Sequence, residues 1–176
     1  MHHIIHFEPL TAEKYDCYNT IGSKAYNQHY LHLWPNGDST PYIQSNFTNK
    51  VLEKESLDSN TSLFILYQNK LAIGILKMTF NKSLGKYSEE DALYVDKIYI
   101  LKECTGSGIG KKVLQFVTLR AKELGKKAIW LDAMQKGPAL NFYLKNGFEI
   151  HGETSVPFKN AIEKEKPMYV LVKRID

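Results

Sequence analysis

Thr105-Gly106-Ser107-Gly108-Ile109-Gly110-Lys111-Lys112 is the stretch that decides how this chain of 176 residues is read. Glycines at 106, 108 and 110 let the backbone turn sharply and bring N–H groups to an anion with no Cβ in the way. A helix follows: Val113, Leu114, Val117, Ala121 and Leu124 fall at helix spacing, with Lys111, Lys112, Arg120 and Lys122 mostly elsewhere. An apolar strand, Leu93 to Ile100, precedes it. The helix start offers free N–H groups and the positive end of its dipole, so a phosphate site is expected, strengthened by Lys111 and Lys112. Two common phosphate loops fail on spacing. A P-loop needs G-x-x-x-x-G-K-[ST], but position 105 is Thr and position 112 is Lys. A dinucleotide fingerprint counted from Gly106 meets Lys111 where its last glycine belongs.

Outward from this segment, strand and helix signals alternate. Gly125 stops the helix, Ala128-Ile129-Trp130-Leu131 reads as a buried strand, and Pro138 opens a helix that ends at Asn146-Gly147. Phe148 to Gly152 and Met168 to Lys173 are closing strands, joined around residues 154 to 166. Upstream, Leu63 to Tyr67 and Leu71 to Phe80 flank a polar Gln68-Asn69-Lys70 and predict a hairpin. Residues 81 to 91 form a polar loop with Gly85. Residues 41 to 58 suit one or two short helices after the turn-forming Asn36-Gly37-Asp38-Ser39. Thr11 is placed to cap a helix running toward Asn27, with Glu13 and Asp16 near its positive end. Residues 2 to 8 alternate weakly as a first strand, ended by Pro9. No repeat, linker or composition break divides the chain, so one mixed α/β domain over residues 1-176 is expected.

Composition excludes several functions. With 43% apolar and 24% charged residues, the chain is neither disordered, collagen-like nor low-complexity. The net charge of +4 is mild, and the longest basic runs are the pairs Lys111-Lys112 and Lys126-Lys127, so no nucleic-acid partner is expected. No apolar run approaches the roughly 20 residues that cross a bilayer, so no membrane partner is expected either. The opening Met1-His2-His3-Ile4-Ile5-His6 lacks the pattern of a signal peptide. Cys17 and Cys104 form no CxxC or Cys/His pattern, which fits a reducing, cytoplasmic setting. His2, His3 and His6 have no carboxylate companion, and no metal is expected.

Tyr99-Ile100 followed by Thr105 to Gly110 resembles the pyrophosphate-loop motif [QR]-x-x-G-x-[GA] of the GNAT N-acetyltransferase superfamily. Downstream, Ala139-Leu140-Asn141-Phe142-Tyr143-Leu144-Lys145-Asn146-Gly147-Phe148 is similar to its A-x-x-F-Y-x-x-x-G-F segment. The closest resemblance within the superfamily is to the bacterial polyamine (spermidine/spermine) N-acetyltransferase type, through the Ile98-Tyr99-Ile100 strand end and the Lys126-Lys127-Ala128-Ile129-Trp130-Leu131 strand start. Three positions depart from the pattern. Thr105 stands for the Gln/Arg that begins the loop, Lys136 for an Asn, and Tyr94 for an acidic residue on the strand before the loop.

The resemblance implies an α/β (α+β) GNAT fold: a mixed, mostly antiparallel sheet of about 6–7 strands with about four helices on both faces. It implies an acyltransferase that moves an acetyl group from acetyl-CoA directly to the primary amine of a small molecule, a polyamine first. A protein lysine or N-terminal acetyltransferase and a CoA-binding regulatory module are the alternatives. Cofactor contacts then fall on Ile98, Tyr99 and Ile100 for the pantetheine arm. Thr105, Gly106, Ser107, Gly108, Ile109, Gly110 and Lys111 take the pyrophosphate, and Asn141, Tyr143 and Lys145 complete the set. Tyr143 carries the general-acid role toward the departing thiolate, since a phenol stays protonated near pH 7. Asp96, which alternation places on the strand face of Tyr94 and Ile98, is the candidate base that takes the amine's proton. Tyr30, His32 and Trp34 form an aromatic stretch that suits a cationic acceptor. Glu89, Glu90 and Asp91 offer negative charge to a polyamine. The apolar pattern does not separate a homodimer face from the core.

Overall fold

The computed structural model describes residues 4–175, and its elements run along one seven-stranded sheet in the order β1-β2-β3-β4-β5-β7-β6. The strands are β1 (Ile5–Pro9), β2 (Thr61–Gln68), β3 (Leu71–Thr79), β4 (Ala92–Ile100), β5 (Ala128–Met134), β6 (Glu149–Ser155) and β7 (Pro167–Arg174). The helices are α1 (Tyr15–Tyr30), α2 (Thr40–Asn46), α3 (Asn49–Ser56), α4 (Ile109–Glu123) and α5 (Pro138–Lys145). All neighbouring strands are antiparallel except β4 and β5. This is the mixed, mostly antiparallel sheet that the resemblance implies. The helix count reaches five because Phe47 and Thr48 interrupt residues 40–56, and Thr48 caps α3 by accepting from the Val51 N–H.

Local chemistry explains the turns. Asn69 and Lys70 join β2 to β3 with φ of +50° and +68°, the two-residue turn whose twist matches a hairpin. Gly125 at φ +68° ends α4, and the Lys126 N–H reaches back to the Ala121 carbonyl. Two expectations need correction at the N-terminus. Thr11 makes no side-chain cap; a short 3-10 turn over Ala12–Lys14 intervenes, and α1 starts at Tyr15. Pro9 lies within β1 at the sheet edge, where its missing N–H costs no ladder bond. His2 and His3 lie outside the described residues.

Two apolar cores sandwich the sheet. Ile109, Val113, Leu114, Val117 and Ala121 of α4 pack on Leu76, Met78, Leu93 and Ile129 on one face. Tyr18, Tyr26, Leu52, Phe47 and Trp34 pack on Leu63, Ile65 and Ile75 on the other. The sheet is thus covered on both sides, with α1–α3 opposite α4. Among the described residues, no helix is long and apolar enough to cross a membrane.

Candidate functional site

β4 and β5 pair only at their beginnings, through Ala92↔Ala128, Leu93↔Ile129 and Tyr94↔Trp130. Beyond that rung the two strands part, and a cavity of about 590 Å³ opens between them. Its walls are Val95 to Tyr99 of β4, Leu131 to Met134 of β5, Tyr26 and Tyr30 of α1, Tyr42 of α2 and Tyr143 of α5. An unpaired strand edge carries N–H and C=O groups that can take an extended, amide-bearing chain. Ile98 and Tyr99 line the cavity, while Ile100 is buried and its carbonyl accepts from the His29 ring at 2.9 Å.

A β-bulge sits in β4 at the centre of this wall. Lys77 pairs with Lys97 but Met78 pairs with Val95, so Asp96 is the extra residue. The bulge reverses the alternation, and Val95 and Ile98 both pack with the α4 core while Tyr99 packs with the opposite one. Asp96 therefore does not share a face with Ile98 as simple alternation predicts; it joins Lys97 and Lys77. Its Oδ2 accepts from Thr79 at 2.8 Å, and its Oδ1 lies 3.8 Å from Lys77 Nζ, which also pairs with Glu55 of α3 at 2.5 Å. Burial raises the Asp96 carboxyl above the usual carboxylate range, with Lys77 and the Thr79 bond opposing. Lys97 is 7% exposed, and burial, reinforced by Lys77, pulls its ammonium down to about 8.

Two further groups stand at the start of the wedge. The Tyr94 hydroxyl donates to Asp132 Oδ2 at 2.9 Å, and burial followed by the Asp132 charge pushes the Tyr94 phenol up. Lys82 Nζ lies 3.7 Å from the centre of the Tyr94 ring, and its carbonyl accepts from the Trp130 indole. Asp132, Lys97, Lys82 and Tyr42 are not among the residues that the sequence singles out. For Asp132 and Lys97 a signal existed: Asp132 is the one charged residue of an apolar strand, and Lys97 forms with Asp96 a charged pair inside another.

The opposite wall is aromatic. Tyr26 stacks on Tyr42 at 3.8 Å, and the Tyr42 and Tyr99 hydroxyls meet at 2.5 Å. Tyr30 belongs to this wall; His32 and Trp34 do not line the cavity. Trp34 is 2% exposed, with its indole donating to Tyr26 and its ring edge-on to Phe158, whereas His32 faces solvent. Glu89, Glu90 and Asp91 also lie outside the lining. The carbonyls of Glu89 and Glu90 accept from Lys126, and Asp91 pairs with Lys127.

Thr105, Gly106, Ser107 and Gly108 are exposed where β4 hands over to α4. Gly106 and Gly108 hold φ of +78° and +82°, and nothing lies within 4 Å of the position a Cβ would take at either. The N-cap of α4 makes no side-chain bond, and the first helical N–H groups have no carbonyl four residues back. This is an open cradle that fits a pyrophosphate. Ile109 is buried as the anchor of the helix start, and Lys111 is exposed beside it. Gly110 has a different job: a Cβ there would stand 3.0 Å from Phe142, so its bareness fits α4 against α5. Thr105 and Ser107 spend their hydroxyls on the carbonyls of Lys102 and Cys104.

On α5, Tyr143 packs against Phe142 and Phe148 at ring distances of 5.3 and 5.5 Å and lines the cavity. Burial raises its phenol, so the group keeps its proton throughout the neutral range. Asn141 and Lys145 are exposed on the same helix, outside the cavity lining.

Residues 59–150 match the family model described as an acetyltransferase (GNAT) domain. A protein of Lactobacillus delbrueckii subsp. lactis, described as an uncharacterized N-acetyltransferase in the pepI 3' region, is 22% identical over 62% of this chain and 67% of its own. Among solved structures, the PaiA N-acetyltransferase of Thermoplasma acidophilum in complex with coenzyme A superposes with a TM-score of 0.75. It is 15% identical, over 97% of this chain and 99% of that one. A spermidine N-acetyltransferase SpeG chimera from Vibrio cholerae and hSSAT superposes at 0.71, also 15% identical, over 97% and 95% of the two chains.

Proposed function

The chain belongs to the GNAT acetyltransferase family, and from that premise we propose that it transfers an acetyl group from acetyl-CoA directly to the primary amine of a small molecule. The observation that carries this reading is the wedge between β4 and β5, with the glycine cradle at its C-terminal end and a half-enclosed cavity along its length. Acetyl-CoA supplies the activated acyl carbon as a thioester.

The chain's own residues supply the rest. N–H groups of residues 106–111 hold the pyrophosphate with the α4 dipole behind them, and Lys111 adds a cation. The unpaired edge at Ile98 and Tyr99 takes the pantetheine amides, and a backbone N–H beside the bulge polarises the acyl oxygen. Tyr143, protonated by virtue of its burial, gives a proton to the departing sulfur. Asp96 takes the proton of the attacking amine, directly or through a water, and its raised pKa makes it a better base than an exposed aspartate. Asp132, held by Tyr94 at the start of the wedge, places a second carboxylate on the cavity wall.

A polyamine is the acceptor that the resemblance suggests, and the faces of Tyr26, Tyr30 and Tyr42 suit an ammonium group. Cys17 and Cys104 are free thiols, in keeping with a reducing cytoplasm. The test is thiol release from acetyl-CoA across spermidine, spermine, free amino acids, lysine peptides and aminoglycosides, beside calorimetry with CoA. Release with a small amine supports the proposal; CoA binding with no release from any amine, amino acids included, defeats it in favour of a regulatory module.

A further inference from the structure

Five charged side chains line the cavity: Lys77, Lys82 and Lys97 against Asp96 and Asp132. Their pairing is uneven. Lys77 is met by Glu55 and by Asp96, and Asp132 accepts from Tyr94. Among the described residues, no carboxylate lies within 4.0 Å of the Lys97 or Lys82 ammonium groups. Lys82 stands at the mouth over the Tyr94 ring, and Lys97 is buried in the strand wall. Glu55 and Asp96 face the Lys97 ammonium, but both make their contacts with Lys77; a buried ammonium with no contact ion pair of its own is costly unless a ligand completes it.

Resting on the acetyltransferase reading above, we propose that Lys97, assisted by Lys82, is an anion subsite for the acceptor, so that the acceptor is an amine carrying its own carboxylate rather than a polycation. The cofactor's phosphates do not fill this place. Their cradle begins at Gly106, beyond the end of β4, whereas Lys97 sits on the α1–α3 side of the sheet beside Lys77. A polyamine meets the wrong sign here: the two cavity carboxylates are already engaged, by Thr79 and by Tyr94, while Lys97 and Lys82 have no carboxylate within 4.0 Å among the described residues. The aromatic wall of Tyr26, Tyr30 and Tyr42 leaves the third corner for an apolar or aromatic side chain. A zwitterion with an apolar branch matches all three surfaces. At neutral pH the Lys97 ammonium remains mostly charged, as the subsite requires.

The experiment compares amines that differ only in the carboxylate: phenylalanine with 2-phenylethylamine, and lysine with 1,5-diaminopentane, with spermidine as the polycation. Thiol release and calorimetric binding to the CoA-loaded protein are both read, in wild type, Lys97→Met and Lys97→Arg. The expected result is a preference of about ten-fold or more for the carboxylate-bearing member, retained in Lys97→Arg and reduced to about two-fold or less in Lys97→Met. Methionine matches the lysine stem in size, so folding is preserved, and unchanged CoA affinity verifies it.

The inference is overturned if spermidine or a decarboxylated amine leads, if the preference survives in Lys97→Met, or if neither amino acid binds. Loss of CoA affinity in Lys97→Met overturns it too, because the lysine would then serve the cofactor. Carboxylate-selective binding that depends on Lys97 but releases no thiol upholds the subsite while defeating acetyl transfer. Thiol release led by a diamine does the reverse.

Discussion

The Tyr94 hydroxyl is bonded to Asp132 Oδ2 at 2.9 Å across the last paired rung before β4 and β5 separate. The resemblance puts an acidic residue at position 94 of β4, which is tyrosine here, and the carboxylate of Asp132 on β5 stands against it. Tyrosine at position 94 holds it. The same ring supports the Lys82 ammonium on its face, so one side chain touches both signs of charge at the start of the wedge.

Tyr94→Phe keeps the ring and removes only the donor. Asp132 then loses a charge-assisted bond at a half-buried site, and stability should fall by about 1–3 kcal/mol. Urea denaturation measures this. A change indistinguishable from zero would mean that solvent replaces the bond without loss.

Tyr143→Phe should lower kcat by about ten-fold or more while leaving the calorimetric Kd for CoA within about two-fold. The packing of the ring against Phe142 and Phe148 is kept, so a matched loss of both quantities would assign Tyr143 to binding rather than proton transfer.

Gly108 and Gly110 make opposite predictions. Gly108→Val places a β-branched residue at φ +82° on the open face of the cradle, and CoA affinity should drop by about ten-fold or more. Gly110→Ala presses on Phe142 and should cost stability with little effect on CoA. Equal CoA affinity in Gly108→Val and wild type would place the pyrophosphate elsewhere.

Lys97 also sets a pH dependence of stability. Its folded pKa of about 8 lies below the ordinary 10.5, so between these values the unfolded chain binds more protons and stability rises with pH. The charged groups that face it are Lys77, Glu55 and Asp96. Relative to Lys97→Met, the wild type should gain about 2 kcal/mol between pH 7 and pH 9.5 in the absence of ligand. Parallel denaturation curves at the two pH values decide it; a constant difference would show that Lys97 is not held in a desolvated place.

Much of this architecture is legible along the chain because it rests on local patterns. The glycine run, the α4 stripe and the Phe142-Tyr143 pair each carry their signal within one element. The hairpin turn at Asn69-Lys70 does as well. What the sequence does not display is non-local. The bulge exists only as a mismatch between β3 and β4, so alternation alone puts Asp96 on the face of Ile98, where the register does not. Trp34 reads along the chain as part of an aromatic stretch for the acceptor, but its indole donates to Tyr26 and its ring meets Phe158, so it is core. Asp132 becomes meaningful only when β5 lies beside Tyr94.

The extra residue in β4 works like a shift of reading frame. Upstream of it, odd-numbered side chains enter the α4 core; downstream, even-numbered ones do. Deleting Asp96 alone would restore plain alternation: Val95 would be followed directly by Lys97, whose partner on β3 already neighbours that of Val95, and Lys97 to Ile100 would keep the faces they now occupy. The strand can therefore shorten by one residue at this point, and at no other, without turning either core inside out. What it would give up is the bulge and the carboxylate that the bulge presents.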